Sequence, residues 1–198
     1  LKIALSFAPT HLSWYELTVE EGTPFALRPP RLPPEDLLLE LEERGFAYLK
    51  EQGFCRYEVS GYAKSLKTRC RHNLNYWYFG DYLGIGAGSH SKLFVDGHTL
   101  RRACPENWME YLNNKGVYVE VDKASLGFEF LLNRLRVFEP MPLSSFEKTT
   151  GCSSELLRDG LMQAKEQGLL TFDVRQDTCT LTELGKTMLN DILILFLT

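Results

Sequence analysis

The sequence predicts a mixed α/β fold followed by a mainly helical, winged-helix-like C-terminal region. A β-branched and aromatic run at 11–19, an amphipathic segment at 35–52 and a short run at 55–60 have the patterns of strand, helix and strand. A glycine-rich stretch at 81–91 follows them. From Pro105 onward helical patterns dominate. We therefore place an α/β domain at 1–104 and a helical domain at 105–198.

The composition is that of an ordinary globular protein. Its 198 residues are 44% hydrophobic and 24% charged, which is enough for one large or two small cores. No run of about 18 apolar residues occurs, so we expect no membrane span. The first residues show neither a charged n-region nor an apolar h-region, and the five cysteines form no C-x-x-C pair. These features predict a cytoplasmic protein with reduced thiols.

The first domain is predicted to begin with the end of a helix at Leu1 to Phe7. The proline-rich segment 22–34 is a loop, and the helix at 35–52 has acidic residues in its first turn and Gly53 behind its end. Strand, helix and strand form a β-α-β unit, which normally belongs to a parallel sheet. Ligands of such folds bind at the carboxyl ends of the strands, here at Glu16 to Glu20 and Glu58 to Tyr62.

The sequence of the second half predicts helices, a hairpin and a closing helix. The Asp-Gly pair at 96–97 indicates an earlier hairpin, and Thr182 is placed to cap the last helix. The segments of this half are helices at 106–114, 125–138, 142–149 and 153–167, strands at 169–172 and 178–181, and the helix after Thr182. This order is winged-helix-like. The candidate recognition helix at 153–167 carries three acidic and two basic residues, so we expect no nucleic-acid binding.

The stretch HNLNYW at 72–77 is one candidate for a ligand site, and its composition predicts a loop. Seven basic residues and two acidic residues lie between Ala63 and Arg102, which would attract an anion. His72 is a competent axial ligand for heme iron, and aromatic rings such as Tyr76 and Trp77 pack on porphyrins. The alternative is structural: His72 and Asn73 cap the backbone while the rings fill a core, and composition favours it.

Other polar residues leave similar alternatives open. Cys70 is a second candidate for an iron ligand, and the glycines at 84–88 lack the spacing of a phosphate-binding loop. His90 follows those glycines, where it is either a ligand or a structural histidine. The remaining candidates for ligand contact are Glu16, Glu58, Ser60 and the pair Arg101 and Arg102, the last of which is also typical of a solvated hairpin strand. No zinc site can be assembled from these spacings.

Several motifs in a fixed order resemble one known family. They are HLSWYELTVEEGTPF at 11–25, YEVSGYA at 57–63, HNLNYW at 72–77, DYLGIGAGSHS at 81–91 and LTELGKTMLND at 181–191. Together they resemble the C-terminal half of the oxygen-independent coproporphyrinogen III oxidase family, a radical S-adenosylmethionine family. Within it, the heme-chaperone branch is the most similar. The resemblance implies the last strands of a partial β/α barrel closed by a helical domain.

The resemblance also implies ligands. The motif HNxxYW of the chaperone branch is associated with heme binding, which assigns His72 to the iron and adds Asn73, Tyr76 and Trp77. Positions that approach S-adenosylmethionine in related oxidases correspond to Thr18, Gly86 and His90. The 4Fe-4S cluster of the family needs C-x-x-x-C-x-x-C, which this sequence lacks. We therefore expect S-adenosylmethionine and the cluster only in a longer protein of which this chain is a piece.

Two functions follow from the resemblance. The first is a heme chaperone that binds heme or a porphyrin and passes it to a recipient hemoprotein. The alternative is a coproporphyrinogen III oxidase, a radical enzyme of porphyrin biosynthesis that decarboxylates propionate side chains. Whether the protein is an enzyme stays open, and this chain alone is expected to be inactive. A half barrel would also expose a sheet edge that allows a homodimer.

Overall fold

The computed structural model describes residues 1–173, 175 and 177–197, and the chain divides into two compact units. The first unit is Leu1–Cys70 and the second begins at Arg71. Helices and short sheets occur together, which confirms the mixed α/β character. The domain boundary between 104 and 105 stays a prediction. None of the helices in the described part of the chain is long and apolar enough to cross a membrane.

The first unit contains four α-helices or helical turns and one small sheet among its described residues. Its elements are α1 Lys2–Ser6, β1 His11–Ser13, α2 Pro24–Leu27, α3 Glu35–Glu51, β2 Cys55–Arg56, β3 Gly61–Ala63 and a 3-10 turn at Leu66–Thr68. The helix predicted at 35–52 is therefore confirmed, and Gly53 follows it with φ +80°. The predicted loop at 22–34 contains the short helix α2, with Pro24 at its first position.

The sheet of the first unit corrects the prediction of a parallel β-α-β sheet. Its order is β1-β3-β2, and both neighbouring pairs are antiparallel. The predicted strand at 55–60 pairs only at Cys55 and Arg56, because the chain turns back through the hydrogen bond from Tyr57 N to Gly61 O at 3.0 Å. The returning strand β3 lies between β1 and β2, which run parallel to each other without being neighbours. The predicted strand at 11–19 likewise ends at Ser13.

The core of the first unit is small and aromatic. Leu49, Phe54 and Tyr62 are almost fully buried, and Trp14 and Phe46 pack against them. Trp14 and Phe46 meet edge to face with ring centroids 5.7 Å apart. Gly45 makes this packing possible, since a Cβ atom there would clash with the Trp14 ring.

Among its described residues, the second unit contains the remaining helices and two three-stranded sheets. Its elements are α4 Arg71–Trp77, β4 His90–Val95, β5 His98–Ala103, α5 Trp108–Asn113, β6 Val119–Glu120, α6 Lys123–Arg134, β7 Met141–Pro142, α7 Ser144–Thr150, α8 Glu155–Glu166, β8 Leu170–Asp173, β9 Thr178–Leu181, α9 Glu183–Thr187 and α10 Leu189–Ile194. The sheets have the orders β4-β5-β6 and β7-β9-β8, with antiparallel pairing throughout.

Turn and capping residues in the second unit act as the sequence predicts. Asp96 and Gly97 have φ of +51° and +82°, as a two-residue hairpin turn requires, and join β4 to β5. The hydroxyl of Thr182 accepts a hydrogen bond from Gly185 N at 3.0 Å and caps α9. The closing helix is not continuous, however, because Met188 has φ −108° and ψ 39° and separates α9 from α10.

The main hydrophobic core lies among the helices of the second unit. Phe130, Leu157 and Leu161 are fully buried there, and α6, α8 and α10 pack around them. Phe79, just beyond α4, is buried in the same core with its ring centroid 5.8 Å from that of Phe130. This contact fixes the end of α4 against α6.

Candidate functional site

The stretch HNLNYW forms a helix, so the loop predicted from its composition is wrong. It occupies α4, Arg71–Trp77, and the chain continues through Phe79, which has φ +59°. The helix is too short to show an apolar period, and packing of its end against α6 determines its conformation instead. Because residues four apart share a helix face, His72 and Tyr76 lie side by side.

His72 is exposed on this helix. Its ring meets the Tyr76 ring edge to face, with centroids 4.9 Å apart. Within the described part of the chain, neither imidazole nitrogen of His72 has a hydrogen-bond partner, so a neutral ring keeps a lone pair for a metal. The His72 side chain therefore does not cap the backbone of the described residues, which is the role that the structural alternative gave it.

The rings of His72, Tyr76 and Tyr82 form a continuous aromatic row. Tyr76 and Tyr82 are half-buried with centroids 4.7 Å apart. The Tyr82 hydroxyl accepts a hydrogen bond from Arg101 Nη1 at 3.3 Å, and Arg101 Nε donates to Glu129 at 2.9 Å. The hairpin β4–β5 and helix α6 thereby hold the far end of the row in place. If His72 held a flat apolar ligand through an iron atom, this row of rings would lie beside that ligand.

The two asparagines of the motif have different environments. Asn73 is half-buried and makes no side-chain hydrogen bond to other described residues. Asn75 Nδ2 donates to the carbonyl of Asp81 at 2.9 Å, and the Asn75 carbonyl accepts from Gly80 N at 2.8 Å. Asn75 therefore fixes the turn after α4, which is a structural role that the motif alone did not assign.

Trp77 ends α4 beneath an arginine. The guanidinium carbon of Arg136 lies 4.6 Å from the centroid of the Trp77 ring, a cation–π contact. Both side chains are half-buried. The indole Nε1 of Trp77 is buried and has no hydrogen-bond partner among the described residues. Trp77 thus packs against Arg136 with its donor unused, and it lies outside the described hydrophobic core that the structural alternative gave it.

The turn after α4 is secured by a buried lysine that the sequence did not reveal. Lys92 is 2% exposed, and its Nζ donates to the Phe79 carbonyl at 2.8 Å and to Asp81 at 3.3 Å. Burial lowers the pKa of Lys92, while Asp81 opposes that shift. A lysine within the run HSKLFV gives no sequence signal of burial. Tyr82, Glu129 and Arg136 were missed for the same reason, whereas Arg101 had been named as a candidate for ligand contact.

The residues expected near S-adenosylmethionine are divided between the two units. Thr18 is exposed in the first unit. It was predicted to lie on the strand at 11–19, but β1 ends before it, at Ser13. Gly86 and His90 belong to the second. Gly86 has φ +106° and donates its N–H to the Tyr111 hydroxyl at 3.1 Å, while His90 is exposed at the start of β4. Their proximity to S-adenosylmethionine stays a prediction.

The other polar candidates are mostly engaged in structural contacts. Arg101 and Arg102 are half-buried; Arg102 donates to the Gly84 carbonyl at 3.0 Å. The pair lies on the hairpin strand β5 as expected, but both side chains are bonded and half-buried rather than freely solvated. Glu58 is buried and Glu16 is exposed, and Cys70 donates its N–H to the Tyr57 hydroxyl at 3.2 Å. In the described part of the chain, no three potential metal ligands cluster together.

Comparisons with known proteins agree with the motifs. Residues 121–180 match the HemN C-terminal domain. The whole chain is 42% identical to heme chaperone HemW of Haemophilus influenzae and 43% identical to that of Escherichia coli, in each case over 52% of the relative. The solved structure of coproporphyrinogen III oxidase (HemN) from Escherichia coli, described as a radical SAM enzyme, is similar with a TM-score of 0.69. That likeness covers 98% of this chain and 49% of the other at 13% identity.

The fold and the matched domain define a HemN-like chain of mixed α/β architecture. The identities over the whole chain go further than the fold. The chain belongs to the oxygen-independent coproporphyrinogen III oxidase-like family, in its heme-chaperone branch with HemW. It spans about half the length of the curated relatives it matches.

Proposed function

We propose that this chain is the heme-binding part of a heme chaperone. The observation that carries the proposal is the exposed imidazole of His72, which has no hydrogen-bond partner among the described residues. It lies on α4 in a chain that is 42% and 43% identical to proteins named heme chaperone HemW. His72 would supply the axial nitrogen, with Asn73, Tyr76 and Trp77 completing the motif.

The residues of the site fit heme as a cargo. A neutral imidazole is a proximal iron ligand in many heme proteins, and the row of Tyr76 and Tyr82 offers aromatic surface beside it. Exposure of His72 suits a carrier, since a recipient hemoprotein can approach the iron and replace this ligand with its own. Arg71, the exposed first residue of α4, adds positive charge where an anionic porphyrin would bind.

The iron-sulfur cluster of the radical family does not fit these residues. A 4Fe-4S cluster is held by cysteine thiolates, and no three potential metal ligands cluster within the described residues. We assign the cluster and S-adenosylmethionine to a longer protein. Thr18, and separately Gly86 and His90, are residues of this chain for which the resemblance implies a position near S-adenosylmethionine. The activity of this chain alone is expected to be heme binding without radical chemistry.

Finer features of the fold belong to the same proposal. We assign β1 and β2, which run parallel to each other, to the last strands of a partial barrel, with the antiparallel β3 between them. The order α6, β7, α7, α8, β8 and β9 supports a winged-helix-like arrangement in the second part. We further assign the protein to the cytoplasm, without a nucleic-acid partner. A homodimer is an assembly that an exposed sheet edge would allow. The oxidase alternative has only a fold likeness at 13% identity behind it.

Handover of heme tests the proposed function. The intact protein is loaded with hemin, freed of excess hemin and mixed with apomyoglobin, and the Soret band of the acceptor is followed. We expect transfer that depends on His72 and is kept in a His98→Ala control, because His98 is also exposed but lies outside the motif. Failure of the loaded protein to give up heme, or conversion of coproporphyrinogen III by the intact protein, would contradict the chaperone assignment.

A further inference from the structure

Two buried donors meet at the end of α4 with nothing to accept their hydrogen bonds. Among the described residues, neither Trp77 Nε1 nor Arg136 Nε has a hydrogen-bond partner, although both atoms are buried. Neither side chain is held by a carboxylate or carbonyl of the described residues. Buried donors are nearly always paired, because an orphaned donor loses its hydrogen bonds to water and gains none. Two orphaned donors on side chains that stack on each other therefore point to a ligand.

The geometry of the pair restricts what that ligand is. Arg136 lies over the Trp77 ring, with the guanidinium carbon 4.6 Å from the ring centroid. An indole N–H can only donate, and a guanidinium carries a positive charge and donates through a planar fork. The matching group accepts at two points and is negatively charged. A carboxylate meets both requirements, and arginine binds it in the bidentate mode.

The surroundings hold both side chains in place. Trp77 is the last residue of α4, Arg136 follows the end of α6 by two residues, and these helices pack on each other. Neighbouring Phe79 is locked into the core by Phe130. Because both donors sit on anchored elements, they keep their relative position without a ligand, which reduces the entropy lost on binding.

We infer that Trp77 and Arg136 form a carboxylate-binding site, separate from the His72 imidazole. Trp77 follows His72 by five residues, which places it about 7.5 Å along the helix and about 140° around it. A porphyrin ligated by His72 could reach this side only with a flexible substituent of its rim. The heme propionates are such carboxylates, and their assignment to this site rests on the proposed function. The alternative source is a free short-chain carboxylate.

The site itself is tested without heme. The indole N–H resonance of Trp77, identified by its loss in Trp77→Phe, is followed in nitrogen-15 spectra of the intact protein while sodium propionate is added, with sodium chloride as the ionic control. We expect a saturable downfield shift with propionate alone, and its loss in Arg136→Gln. An unchanged resonance, or an equal shift with chloride, means that the pair binds no carboxylate and overturns the inference.

The source is tested with two porphyrins. Hemin and its dimethyl ester, which lacks free carboxylates, are titrated into the wild type, Arg136→Gln and Arg158→Gln, an exposed arginine on α8 used as the control. If heme propionates occupy the site, Arg136→Gln weakens hemin binding about tenfold to hundredfold and leaves the ester unaffected. The Soret position stays the same, because His72 remains the ligand.

The outcomes separate the site from the proposed function. A propionate shift together with equal binding of hemin and ester in all three proteins identifies a site for a free carboxylate. The same shift in a protein that binds no hemin supports the site and refutes the heme chaperone. Hemin binding without a propionate shift and without an effect of Arg136→Gln refutes the site and leaves the heme chaperone standing.

Discussion

At the scale of single residues, the imidazole of His72 is open to a ligand because its nitrogens have no hydrogen-bond partner among the described residues. Its neighbour Tyr76 supports the ring from the side and leaves both nitrogens unbonded to the described residues. Two other histidines differ: His98 is paired with Glu120 at 2.6 Å, and His11 meets the Tyr57 hydroxyl at 2.9 Å. Sequence could name His72 through its motif. It could not distinguish the free ring from the engaged ones, because that depends on distant partners.

His11 should make the first unit less stable in mild acid. Burial lowers the pKa of His11 below its usual 6.5, so the unfolded chain binds the proton more tightly. Stability is therefore lost as the pH falls from about 6.5 toward the lowered pKa of the folded state. The Tyr57 hydroxyl accepts a hydrogen bond from Cys70 N. Its own proton is therefore free to be donated to Nε2 of a neutral His11.

Urea unfolding at pH 7.0 and at pH 5.5 measures this effect. The difference in unfolding free energy between the two conditions should shrink in His11→Gln, which cannot titrate. A His90→Gln control, changed at an exposed position, should keep the wild-type difference. Identical pH dependence in the wild type and His11→Gln would show that the proton is not linked to folding through His11.

Lys92→Met should destabilise the second unit by roughly 1–3 kcal/mol, since it leaves the buried Phe79 carbonyl without its donor. The methionine keeps the apolar stem over the Phe79 ring, so the loss reports the ammonium group. Lys123→Met is the exposed control and should change stability by no more than about 0.5 kcal/mol. A stabilised Lys92→Met would mean that the cost of burying the charge outweighs its hydrogen bonds.

At the scale of elements, the sequence was informative wherever local chemistry decides. The helices α3, α6 and α8 and the Asp96-Gly97 hairpin follow from apolar period, caps and turn residues. α4 and the sheet of the first unit do not. The conformation of α4 depends on its contact with α6, and the turn at Tyr57 to Gly61 divides a run that alternation alone presents as one strand.

Gly45→Ala should cost the first unit about 1–3 kcal/mol. The new Cβ atom would overlap the Trp14 ring, which is packed against Phe46 and Tyr62 and cannot move freely. Gly127→Ala in α6 is the matched control, because its Cβ would lie 3.2 Å from a flexible methyl group of Leu157. There the helix propensity of alanine, worth about 1 kcal/mol, should offset the contact. Equal losses of unfolding free energy in both variants would contradict this packing argument.

At the scale of the whole chain, motif order was more informative than composition. Composition favoured a structural role for HNLNYW, whereas the ordered motifs identified the family that the comparisons show. Charge is distributed unevenly along the chain: positive residues concentrate between Ala63 and Arg102, and acidic residues outnumber basic ones beyond Asp122. The arrangement of strands could not be derived, since pairing partners far apart in sequence leave no local pattern.

Our proposal that His72 binds heme iron can be tested by a hemin titration of the intact protein, followed by the Soret band, in the wild type, His72→Ala and His98→Ala. His98 is also exposed, but it lies outside the motif and is bonded to Glu120. We expect a saturable Soret shift in the wild type and His98→Ala, and a shift that is lost or strongly weakened in His72→Ala. Heme binding of equal affinity and equal spectrum in His72→Ala, or no Soret shift in the wild type, would contradict it.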